Sequence, residues 1–296
     1  GITNRIYDFA LALVGWLKGG LGHVNVVGSV IFAGMSGTAV ADAGGLGNIE
    51  IRAMRDHGYS VDFAVGVTGA SSTIGPIIPP SLPFVIYGVM ANASIGQLFA
   101  AGLIPGLVMA LTMMIMVTYY AHTRGWHRDA KFSVVNLGRT FRRAFLPLLT
   151  PVILIGGMTT GIFTPTEAAI AATAYAILLG MVVYRTLSVK KFVKVSLETA
   201  ETTAIILLIV AGASIFGYLI TLTKVTDNVA DLVLSFSTTP WVVLLLVNLF
   251  LLVVGCFMET IAAITILVPV LLPLMERIGV DPVHFGLIMV LNLMIG

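Results

Sequence analysis

Apolar residues in this 296-residue chain fall into long runs separated by short polar stretches. A helix needs about 20 apolar residues to cross a bilayer, and runs near that length occupy 62–90, 95–121, 144–162, 165–184 and 199–222. Three others, 22–35, 241–257 and 263–274, are shorter or interrupted, and a last one starts near His284. The pattern predicts an all-α polytopic membrane protein. Composition agrees: 58% of residues are hydrophobic and only 10% charged, against about a quarter charged in soluble domains. A balance of 16 Lys+Arg to 14 Asp+Glu argues against a nucleic-acid binder. The first residues, GITNRIYDFA, lack a charged n-region and cleavage site, so no signal peptide is expected. A chain that starts and stops inside such a pattern reads as part of a longer polypeptide. The single cysteine, Cys256, lies in an apolar run and is expected to be a small core residue.

Charge orients the spans. The stretch 122–143 holds Arg124, Arg128, Lys131, Arg139, Arg142 and Arg143 against one acid, Asp129, which is expected to be peripheral. The stretch 185–194 holds Arg185, Lys190, Lys191 and Lys194 with no acid. Both read as cytoplasmic by the positive-inside rule, and the two spans between them keep them on one side. Arg5, Trp16 and Lys18 fit an amphipathic helix along the interface. Thr164-Pro165-Thr166-Glu167 has the form of a capping box with proline at the first helical position.

The informative residues are those where helices must fail. Gly75, Pro76, Pro79, Pro80 and Pro83 interrupt the 62–90 span. An interior proline removes a backbone donor and costs roughly 3 kcal/mol. Backbone freed at bilayer depth must be buried in protein or line a wet cavity, and half-helix ends there attract ions. The hydroxyls of Ser71, Ser72, Thr73 and Ser81 flank this break, as oxygen ligands of a small cation would. A second place is Gly34-Met35-Ser36-Gly37-Thr38, with Asp42 close behind: a short run, a polar tip and a polar return through Asn48, Glu50, Arg52, Arg55 and Asp56. That order predicts a re-entrant hairpin, and an ionisable Asp42 near its tip is a functional candidate. The third place is Met258-Glu259-Thr260, where Glu259 is the only acid between Asp231 and Glu276. A carboxylate there is paired, protonated or at a wet tip.

The first hairpin and the Glu259 region look like copies. Gly34 and Gly255, Gly58 and Gly279, and Gly75 and Gly296 are each 221 positions apart, with the same order of short run, polar tip, return and new span. The charge count threads the copies in opposite directions, the build of secondary transporters with inverted repeats and discontinuous helices.

The segments GLGHVNVVGSVIFAGMSGTAVADAGGLG (20–47), STIGPIIPPS (72–81), GIFTPTEAA (161–169), FMETIAAITILVPVLLPL (257–274) and DPVHFGLIMVLNLMIG (281–296) resemble the large membrane subunit of tripartite ATP-independent periplasmic (TRAP) transporters. The resemblance implies an inverted-repeat, elevator-type transporter with two re-entrant hairpins and broken transmembrane helices. It implies a sodium-coupled importer of organic acids, of C4-dicarboxylate or sialic-acid type, in a bacterial inner membrane. A periplasmic substrate-binding protein would deliver the acid, and a small membrane subunit would support the scaffold within the lipid bilayer. By this resemblance the tip Ser36-Gly37-Thr38 with Asp42, the break Ser72-Thr73-Ile74-Gly75-Pro76 through Pro79, Pro80 and Ser81, and the tip Glu259-Thr260 belong to the sodium and substrate region. Na+ is expected between a tip and its adjacent break, at Ser36, Ser72, Thr73, Gly75 and Thr260, with no catalytic residues. The domains follow: an arm helix at 1–21, half of a transport domain at 22–90, scaffold and arm helices at 91–240, and the second half at 241–296. The family's pattern continues into a partner of the 72–81 break and usually has Ser or Ala where Thr38 stands.

Two rival readings bear on the same residues. A rhomboid-type intramembrane protease would use Gly34-Met35-Ser36-Gly37 with Ala121-His122-Thr123-Arg124-Gly125, but His122 opens a basic loop and such motifs match easily by chance. A divalent-anion/sodium symporter shares the hairpin-and-break plan, yet its expected Ser-Asn-Thr tips are absent here.

Overall fold

The structure, a computed structural model, describes residues 2–223, 231 and 239–296. Gly1 of the expected arm, and 224–230 and 232–238 of the expected scaffold, lie outside the described residues. Among the described residues every named element is a helix, beside one isolated antiparallel bridge between Lys18 and Arg128. The helices are α1 (Ile2–Val14), α2 (Gly20–Ser36), α3 (Ala39–Asp42), α4 (Asn48–Asp56), α5 (Val61–Ser72), α6 (Leu82–Ala91) and α7 (Ile95–Thr123). There follow α8 (Val134–Thr159), α9 (Pro165–Leu178), α10 (Val189–Leu222), α11 (Pro240–Gly255), α12 (Thr260–Arg277) and α13 (Pro282–Ile295). Short π-helical turns join α3 to α4 over Ala43–Gly47 and extend α9 over Leu179–Val183.

Among the described residues five helical stretches are long and apolar enough to cross a membrane: Ile95–Thr123, Val134–Thr159, Pro165–Val183, Val189–Ile220 and Thr260–Arg277. Two begin about ten residues before their apolar runs, because Arg139, Arg142 and Arg143, and Lys190, Lys191 and Lys194, already lie on the first turns of α8 and α10. The run at 263–274, expected to be shorter or interrupted, lies in one 18-residue helix that continues through Pro269 and Pro273. Apolar helices tolerate proline when neighbours re-satisfy the freed carbonyls. The capping box stands as expected: Thr164 accepts from the Glu167 amide while the Glu167 carboxylate accepts from Thr164 N–H.

The chain divides into two compact units. The first holds Gly1–Ser81 and Gly102–Leu187; the second holds Leu82–Ala101 and Ser188–Gly296. In the first, α1 packs on α2 and α8, α2 on α4 and α5, and α8 on α9. Its core gathers Val26, Ala33, Met54, Ala64, Ile74 and Val117, all buried. Arg5 of α1 donates to the Arg143 carbonyl and lies over the Tyr184 ring, so the arm helix is held by packing. In the second unit α12 packs on α6 and α10, and α11 on α13.

The loop after α7 is tied to the start of α2. Asp129 accepts from the Leu21 amide at 2.9 Å and from the Tyr59 hydroxyl at 2.6 Å. Gly19 N–H donates to His127 and Ala130 N–H to Gly15. Asp129 is therefore not peripheral: it serves an orphan amide at a helix N-terminus, which a count of loop charges does not reveal. Burial, and then the bond to Asp129, raise the Tyr59 phenol above its ordinary pKa, so it stays a donor. Cys256 is another correction. It is exposed at the end of α11, its thiol donating to the Leu252 carbonyl, because the apolar run here surrounds a helix end with an open side.

Candidate functional site

The break and the first hairpin tip meet inside the first unit. Helix α5 stops at Ser72, and 73–81 forms turns before α6 begins at Leu82. Four prolines in eight residues (76, 79, 80, 83) deny the amides that a helix would need. Ser72 and Thr73 hydroxyls each donate to a carbonyl three residues back, Gly69 and Ala70, at 2.7 Å. Those bonds close the end of α5 and leave hydroxyl lone pairs free to accept. Ser81 donates to the Pro76 carbonyl across the break. Gly75, Pro76 and Pro79 are buried, so this irregular backbone is covered by protein.

On the other side, α2 ends at Ser36 with Gly37 in the left-handed region at φ 65°, its amide returning to Ala33. Thr38 then caps α3, its hydroxyl accepting from Ala41 N–H at 3.2 Å. A first side-chain carbon on Gly37 would lie 2.4 Å from the Pro80 carbonyl oxygen, and one on Gly75 would lie 3.2 Å from the Thr38 carbonyl oxygen. Glycine is required at Gly37, where the backbone is left-handed and another backbone touches it, and at Gly75 a side chain would be tight. The approach brings the Pro80 carbonyl oxygen beside Gly37 and the Thr38 and Ser72 carbonyl oxygens beside Gly75. The Ser36 hydroxyl is buried and has no hydrogen-bond partner. Asp42, 2% exposed, has both carboxylate oxygens without one. Oxygen ligands with a nearby carboxylate suit a hard cation better than a soft metal.

Ser71 belongs to a different set. Its hydroxyl donates to Asn25 Oδ1 at 2.7 Å and accepts from Ser29 at 3.0 Å, within a buried network under the hairpin. Glu259 and Thr260 lie in the second unit. Glu259 is exposed and caps α12, accepting from Ala262 N–H at 3.0 Å, so its carboxylate is partnered by a helix N-terminus. Thr260 is buried. His122, the base of the protease reading, is engaged with its own helix through Nδ1 and the Thr118 carbonyl.

The residues that sequence inspection passed over are Asn25, Glu50, Thr68 and Asp129. One signal existed: Glu50 falls between Leu46 and Met54 at four-residue spacing, on a face where both neighbours are fully buried. The polar residues around it masked that stripe.

A family model described as the tripartite ATP-independent periplasmic transporter DctM component matches residues 1–296. The sialic acid TRAP transporter large permease protein SiaM of Vibrio cholerae is 50% identical over the whole of this chain, which covers 69% of it. The sialic acid TRAP transporter permease protein SiaT of Haemophilus influenzae is 43% identical, and the chain spans 48% of its length. The C4-dicarboxylate TRAP transporter large permease protein DctM of Pseudomonas aeruginosa is 36% identical, with 69% covered. The chain belongs to the DctM family of TRAP transporter large permeases. These relatives are transporter permeases, not enzymes, so the protease and divalent-anion symporter readings are set aside.

Proposed function

We propose that this chain forms part of the membrane permease of a sodium-coupled importer of organic acids, working by an elevator movement. Two relatives bear sialic acid in their names and another bears C4-dicarboxylate, which supports a carboxylate cargo of that range. A periplasmic binding protein would deliver it, and a small membrane subunit would complete the complex in the inner membrane. The observation that carries the reading is the contact of Gly37 with Pro80 and of Gly75 with Thr38. It brings two unwound segments into backbone contact, beside a Ser36 hydroxyl that has no hydrogen-bond partner. Na+ would be held there by Ser36, Ser72, Thr73 and the backbone at Gly75, and in the second repeat by Thr260. By linkage, a cation that orders the tip favours the carboxylate that follows it, and the reverse.

The test is uptake of a labelled acid by proteoliposomes holding the complete complex. Ser36→Ala or Thr73→Val should raise the Na+ concentration for half-maximal uptake roughly tenfold, the effect of losing about 1.4 kcal/mol of binding. Asp42→Asn should lower uptake further. An unchanged Na+ dependence in the Ser36 and Thr73 variants removes those residues from the site.

A further inference from the structure

Glu50 is 2% exposed, and the described residues offer it no positive partner. Its carboxyl lies between α2, α4 and α5. One oxygen, Oε1, has no hydrogen bond and sits over Gly28, where a side-chain carbon would come within 2.7 Å. The other, Oε2, is 2.6 Å from Asn25 Nδ2. The same amide reaches Thr68 Oγ1 at 2.8 Å and Ser71 Oγ at 2.7 Å. The other ionisable groups nearby give no compensation. They are Asp42 beside α3, the Tyr7 phenol of α1, and His23 of α2, whose Nε2 meets Thr118. Arg52 and Arg55 on α4 and Asp62 on α5 are exposed, and Arg55 pairs with Asp56. A buried carboxylate without a cation costs several kcal/mol. The space at Gly28 over Oε1 is tight, since a side-chain carbon there would also come within 2.9 Å of Leu46, and a proton needs no room.

We propose that Glu50 is a proton-binding site: a neutral carboxylic acid that donates its hydrogen bond to the Asn25 side-chain oxygen. The amide need only be turned over, since oxygen and nitrogen ends of Asn exchange within one shape. The 2.6 Å separation then reads as O–H···O, for which it is typical. Thr68 also donates to Asn25 oxygen, and the amide NH2 faces Ser71, whose own proton goes to the Thr68 carbonyl. The network closes without a charge. It holds the hairpin's return helix, α4, against α2 and α5.

The sign of its pH dependence follows. Unfolded Glu releases its proton above about pH 4.3, while the folded site retains it, so this contribution to stability falls as pH rises from there. Gln at this position has no such loss. In the purified intact permease, Glu50→Gln should come nearest the native melting temperature at about pH 4 and exceed it increasingly toward about pH 9. It should also remove a protonated-carboxyl infrared band present in the native protein at neutral pH. A Glu50→Gln protein less stable than native at every pH, or stabilised less by added Na+, overturns the proposal in favour of a charged, cation-paired Glu50. If the variant fails to fold, the native infrared spectrum decides through its alkaline titration. A carboxyl band that persists at neutral pH and is lost only above it supports the site, and absence of the band overturns it. The outcome is independent of the transport reading, because neither measurement involves uptake.

Discussion

Residues 20–72 and 240–295 are two versions of one design. Adding 221 to the bounds of the first copy's return, Ala39–Asp56, gives Thr260–Arg277, the bounds of α12. The N-caps Thr38 and Glu259 correspond, as do Ser60 and Asp281. Gly58 at φ 83° and Gly279 at φ 79° end the two returns with the same closing bonds, Tyr59 to Met54 and Val280 to Met275. The interiors diverge. Where the first copy has Asp42, Glu50, Thr68 and Ser71, the second has Ala263, Leu271, Met289 and Asn292. The first return contains a π-helical turn over Ala43–Gly47, in which Gly47 approaches the Thr68 methyl; the second runs regular through its counterpart. The scaffold is thus buildable without buried acids, since Ala263 and Leu271 stand where Asp42 and Glu50 do, and the acids of the first copy are not demanded by its backbone. Buried polar groups kept where apolar ones would serve point to a role other than stability, and π-turns concentrate at functional sites.

The largest effect is expected at Gly37, whose counterpart is Met258. Gly37→Ala forces a side chain into the left-handed region, about 1–2 kcal/mol, and into the Pro80 carbonyl besides. Thermal melting of the intact permease should fall sharply, and Met258→Gly should change it far less. Equal losses would erase the distinction between the tips. Next is Asp129, which caps α2 from a distant loop, whereas α11 starts on Pro240 with no side-chain cap. Asp129→Ala should destabilise by about 2 kcal/mol and Tyr59→Phe by about 1 kcal/mol, read by denaturant or thermal titration. A silent Asp129→Ala would return that residue to the solvent. The paired N-caps come third: Thr38→Ala and Glu259→Ala should each cost about 1 kcal/mol, and a Thr38 loss confined to Na+-free protein would sharpen the case for a cation at that tip. Smallest is Cys256→Ser, within about 0.5 kcal/mol, since the thiol is exposed. Maleimide labelling of the native chain checks that exposure directly.

Much of this was open to reading along the chain. Prolines 76, 79, 80 and 83 locate the break because a ring without an amide donor acts locally. Thr164 and Glu167 locate a helix start for the same kind of reason, and three glycine pairs reveal the repeat. Proline does not always break a helix, however: α12 runs through Pro269 and Pro273. Asp129 and Glu50 were misjudged because each sits among charged neighbours in sequence and takes its partners from far away, 108 positions for Asp129 to Leu21 and 25 for Glu50 to Asn25.

What the amino-acid order alone determined is therefore what short-range chemistry controls: span lengths, caps, the break, and the 221-residue recurrence. Only the tertiary structure decided which face of α4 is buried, that the Gly37 tip touches Pro80, and that a lone loop acid anchors α2. Those depend on which distant backbones come close enough to exclude water, and burial, not identity, determines what a carboxyl group does.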